Sequence, residues 1–115
     1  PQKVKMPPFN GGWSCSLFAS QDPVAIDSVG LDFLRGERAE WSNPARVKGV
    51  DGYLHEAALV DNPPSGTFYD SNNPTATKRF ASLGIHEHWN NPEDKKYSRN
   101  LGSGEGIELV SVIPA

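Results

Sequence analysis

The feature that most constrains this chain is an Asp-Pro pair followed by a clean apolar stripe. Asp22 offers a side-chain acceptor at a helix N-cap, and Pro23 suits the first helical position, where its missing N–H costs nothing. Ile26, Val29, Gly30, Phe33 and Leu34 then fall at i, i+3, i+4, i+7 and i+8, which lines them up on one face of a helix. Asp27, Ser28, Asp32 and Arg35 lie off that stripe, and Gly36 is the expected stop. Ile26, Val29, Phe33 and Leu34 are the expected core.

The flanking pattern is different. Trp13, Cys15, Leu17 and Ala19 alternate with Ser14, Ser16 and Phe18, which predicts a half-buried strand with Cys15 as a small buried hydrophobe. Residues 1–12, with Pro7-Pro8 and Gly11-Gly12, read as a connector. A second helix is expected over residues 52–60, capped by Asp51, with Tyr53, Leu54, Ala57 and Ala58 facing inward. Residues 80–89 read as a strand with Ala81, Leu83 and Ile85 on one side, although Gly84 weakens it. The β-branched run 107–113 reads as a closing strand. Eleven Gly and ten Pro imply turn-rich loops between these elements, over residues 37–50, 67–78 and 90–106. The expected fold is therefore α/β (or α+β). One domain over residues 13–115 would hold a small sheet of about three to four strands, two helices and long ordered loops.

Charge and composition exclude several functions. Net charge is −3 and the Lys and Arg residues are scattered, so no nucleic-acid partner is expected. No apolar run approaches the ~20 residues of a membrane span, and these residues include no signal-peptide pattern, which a fragment could have lost. Cys15 is the lone cysteine, which rules out an intrachain disulfide and an iron–sulfur cluster within the chain.

Two clusters carry candidate chemistry. Asp22 and Asp27 flank the strand-to-helix corner, where a carboxylate can bind a cation or polar ligand, or simply cap the helix and favour its dipole. About 140° separates them around a helix, so they do not converge by themselves. The second cluster is His86-Glu87-His88-Trp89-Asn90-Asn91. On a strand, residues two apart share a side, so His86 and His88 present two imidazoles together. Imidazole suits Zn, Cu, Fe or Ni, and a third ligand would come from His55 or Glu56. The competing reading is that Trp89, Asn90 and Asn91 anchor a loop through side-chain-to-backbone bonds. The calcium-loop template over residues 70–81 fails, with Thr75 at the sixth position and Ala81 at the twelfth.

The run Asp22-Pro23-Val24-Ala25-Ile26-Asp27 resembles the signature near the C-terminal end of bacterial domain-of-unknown-function family 362. Tyr53-Leu54-His55-Glu56-Ala57-Ala58, Asn62-Pro63-Pro64-Ser65-Gly66, the His86–Pro92 run and Tyr97-Ser98-Arg99-Asn100-Leu101-Gly102 look like one branch of it. The resemblance implies the C-terminal part of a larger α/β protein, with the missing N-terminal region as its partner and an exported or periplasmic location. Ferredoxin-type clusters found in some members do not carry over, and no catalytic residues transfer. The functional expectation is a polar site contributed to a larger protein and able to take a divalent metal, with the reaction open. Ligand-binding candidates are Asp22, Asp27, His55, Glu56, Trp89 and Asn90, and metal candidates are His86 and His88. The alternative is a non-catalytic interaction or carbohydrate-associated module, for which Trp41, Trp89 and Tyr97 would be the aromatic platforms.

Overall fold

The computed structural model describes residues 3–39, 49–60, 62–66 and 81–114. Trp41, Phe80 and most of the expected loops over 37–50 and 67–78 lie outside them.

Helix α1 runs over Pro23–Ala39 and helix α2 over Gly52–Ala58. The start of α1 follows the sequence. Asp22 Oδ1 accepts from the backbone N–H of Val24 (2.9 Å) and Ala25 (2.8 Å), satisfying two of the free amides that open a helix. The end does not follow it. Gly36 lies inside the helix, and its bare Cα leaves room for Met6 and the Trp89 ring; a Cβ would sit 3.0 Å from Met6 Cε.

The buried face of α1 also differs from the apolar stripe. Val29 is buried, but Ile26 and Phe33 are only partly covered and Leu34 is 59% exposed, whereas Ser28 and Asp32 are buried. At about 100° per residue, Val24 and Leu31 point one way, and Val29 and Phe33 roughly 140–180° from them. Ser28 and Asp32 fall between. The helix therefore carries two apolar flanks with a polar seam along the middle. One flank packs Val24 and Leu31 on Leu54 of α2, with Ala57 and Ala58 beside it. Full burial of Leu54 contributes roughly 1.5–3 kcal/mol. The other flank packs Val29 on Tyr97 and Ile107, with Phe33, Trp89 and Leu109 around them.

The expected α/β fold does not form: the described residues hold two helices and no strand. Residues 13–19, 81–89 and 107–114 do not pair into a ladder, and the one β-bridge among the described residues joins Val4 to Gly12. The physical reason is that side chains take the place of strand partners. Asp22 Oδ2 accepts from the Ile85 amide (3.0 Å), Asp32 Oδ2 from that of Trp89 (2.9 Å), and Asn100 Oδ1 from that of Leu109 (2.8 Å). Glu87 accepts from the Ile107 amide, and Glu37 from the amides of Lys5 and Met6. The expected connector is thereby tied to α1, with Met6 buried. Period-2 alternation does not yield burial either: Leu17, Leu83 and Ile85 are exposed, as is the Cys15 thiol.

Helix α2 is shorter than its apolar pattern suggests, and Tyr53 is exposed. Asp51 stands at its N-cap position but makes no side-chain capping bond. Its carboxylate turns elsewhere.

Candidate metal site

The polar seam of α1, the start of α2 and the segment 86–88 meet at one place. His86 and His88 reach it from the same side of their segment, with ring centroids 4.8 Å apart and planes nearly perpendicular. His55 reaches it from α2, its ring centroid 4.5 Å from that of His86. Asp51 Oδ2 lies 3.4 Å from Nε2 of His88 and 3.4 Å from Nε2 of His55.

The hydrogen bonds bear on which imidazole nitrogens carry protons. Ser28 Oγ donates its one proton to the Val24 carbonyl (2.8 Å), so toward His86 Nδ1, at 2.8 Å, it can only accept. Nδ1 of His86 therefore holds the proton and Nε2 holds a lone pair. That Nε2 is buried and has no hydrogen-bond partner among the described residues. His88 follows the same logic. Its Nδ1 donates to Asp32 Oδ1 (2.7 Å), and its Nε2 lies 3.2 Å from Nη1 of Arg35, which can only donate. Nε2 of His88 lies between the Arg35 guanidinium and the Asp51 carboxylate: without a proton it accepts from the first, and with one it donates to the second.

Asp51, His86 and His88 each offer one ligand atom, and these three atoms lie within 4.8 Å of one another. A zinc ion with bonds of 2.0–2.1 Å wants its ligand atoms about 3.4 Å apart. The His88–Asp51 pair is already at that spacing. Each imidazole has the partner that orients a metal-bound histidine: a carboxylate on His88, a hydroxyl on His86.

Electrostatics favours the binding-competent forms. Burial, then the neighbouring His88 and His55 charges, holds His86 below the ordinary imidazole value, against the pull of Asp51 and Asp32. Burial pushes the Asp51 carboxyl up. Its own backbone amide, the Arg35 guanidinium and His88 outweigh that and hold it at about 2. Asp51 is therefore an anion throughout the physiological range.

The other expected residues lie elsewhere. Both Asp22 oxygens are taken, one by the α1 amides and one by Ile85. Asp27 is exposed near Tyr53, whose hydroxyl is raised first by burial and then by that carboxylate. Glu56 accepts from the amide and hydroxyl of Ser65, fixing the 62–66 turn. Trp89 packs edge-on against Phe33, at 5.1 Å between centroids. Asn90 Oδ1 accepts from the amides of Asn91 and Lys96 and so closes the 90–96 loop.

Asp51, Ser28, Asp32 and Arg35 were missed as site residues. Asp51 looked like a cap, and the others sat off the apolar stripe. The signal that finds them is a polar i, i+4 pair, Ser28 and Asp32, flanked on both sides by apolar positions.

No family model, curated protein or solved structure matches the chain.

Proposed function

We propose that this chain binds one zinc-class divalent metal through Asp51 Oδ2, His86 Nε2 and His88 Nε2. The observation that carries the reading is the buried His86 Nε2. Its lone pair follows from the Ser28 contact and finds no donor among the described residues, and the His86 ring belongs to a group whose ligand atoms lie within 4.8 Å of one another. Leaving a buried acceptor unsatisfied costs about 1–3 kcal/mol, and a metal removes that cost. Imidazole with carboxylate suits zinc and its neighbours rather than calcium or magnesium. His55 stands at the edge of the group as a further imidazole.

The resemblance to family 362 supports reading this as a site within a larger exported protein, with the reaction set in part by sequence beyond this chain. The carbohydrate-associated alternative needs exposed aromatic platforms. Tyr97 is fully buried and Trp89 half-buried against Phe33, and Trp41 lies outside the described residues.

The test is calorimetric titration of the purified chain with zinc. One equivalent should bind, and His86→Ala and His88→Ala should each abolish binding while circular dichroism stays unchanged. Undiminished stoichiometric binding by both variants would rule the site out. Since burial keeps His86 neutral to lower pH than a free imidazole, its arm should resist mild acid better than imidazole in solution does.

A further inference from the structure

Arg35 occupies the same ground as the metal. Its Nη1 lies 3.2 Å from His88 Nε2 and its Nη2 lies 3.1 Å from Asp51 Oδ1. Two of the three groups assigned to the metal are thus held by one guanidinium. His88 Nε2 has a single lone pair, directed in the ring plane, and cannot serve Arg35 and a metal at once. Asp51 has a second oxygen and can serve both. The guanidinium must therefore leave His88 before that nitrogen can coordinate.

We propose that Arg35 is a built-in competitor for the metal: a tethered cation that neutralises the acceptor group and sets the threshold metal concentration at which the site loads. This rests on the metal assignment above. Two features suit Arg35 to the role. It comes from α1, the helix that also orients both imidazoles through Ser28 and Asp32, so it is delivered in register with the site. Its side chain also keeps about a quarter of its surface in solvent, so the guanidinium can swing outward on its stem without disturbing the core. On loading, Nη1 gives up His88 while Nη2 can keep Asp51 Oδ1. The bond to Asp51 thus carries the displaced cation at the rim of the filled site.

The experiment compares zinc affinity in the full chain, Arg35→Gln and Arg35→Ala by competition against a chromophoric chelator. Loss of a positive charge a few ångströms from a dication should tighten binding by roughly 10- to 100-fold, after screening at a partly exposed position. A second measurement separates competition from a change in the fold. In Arg35→Ala, free guanidinium at low, non-denaturing concentration should weaken zinc binding back toward the parent value, while sodium chloride at equal ionic strength should not. Unchanged or weaker affinity in both variants, with the parent binding zinc, overturns the competitor role and leaves Arg35 as a positioning group for Asp51. Failure of the parent and both variants to bind zinc overturns the metal assignment, and the competitor role with it.

Discussion

Two segments of this molecule that both read as strands behave differently. Residues 85–89 and 110–113 both lack a ladder partner. In the first, the Ile85 amide is held by Asp22 and the Trp89 amide by Asp32, while His86 binds Ser28 and His88 binds Asp32. In the second, Val110, Val112 and Ile113 are 68%, 82% and 88% exposed despite β-branched side chains. The difference lies in what α1 offers. Where the helix presents a carboxylate or hydroxyl, the passing chain is fixed and its side chains gain defined directions. Beyond the helix, apolar content alone does not fold the segment back.

The comparison breaks most sharply at Asp32. This carboxylate, 3% exposed, accepts from the His88 ring, the Trp89 amide and the Tyr97 hydroxyl. Asp32→Ala leaves these donors unpaired and should cost about 3–5 kcal/mol, enough to unfold a marginal domain. Urea titration measures it, and a loss under 1 kcal/mol would mean the helix carboxylates are not what fixes segment 85–89.

Asp22→Ala comes next, at about 1–2 kcal/mol, because it removes a cap and the Ile85 contact together. Hydrogen exchange should show the Val24, Ala25 and Ile85 amides losing protection as a set; independent behaviour of Ile85 would separate cap from tether.

Tyr97→Phe should cost about 1 kcal/mol. Burial, then Asp32 and Glu87, pushes the Tyr97 hydroxyl well above the usual phenol value. A raised pKa gives stability that is complete below the unfolded value near 10 and is lost as pH rises past it. The parent protein should therefore lose stability from about pH 10 upward, and Tyr97→Phe should lose measurably less over the same range. Parallel alkaline curves for the two would contradict the burial of that hydroxyl.

Val112→Thr should fall within about 0.5 kcal/mol of zero, as for any solvent-facing change. A larger loss in thermal melts would show that 110–113 is covered in solution.

The two helices were legible because capping and periodicity are local. Asp22 and Pro23 announce α1 whatever surrounds them. Its far end was not legible, since the groups packed against Gly36, Met6 and Trp89, come from distant sequence. The sheet was misread for a related reason. Alternation reports an extended backbone, but a ladder also needs a neighbour, and here Asp22, Asp32, Glu87 and Asn100 serve instead. The convergence of His55, His86 and His88 could be anticipated from spacing and residue type. Asp51 could not, because an N-cap position and a ligand position look identical until the carboxylate's partners are known.

One carboxylate, Asp32, is shared between the packing around Tyr97 and the orientation of His88. Scaffold and site are therefore not modular. A substitution chosen to retune the imidazole will also be felt at the fully buried Tyr97 ring, and one chosen to repack that ring will turn the imidazole. Any lineage or design that alters either must change both in step.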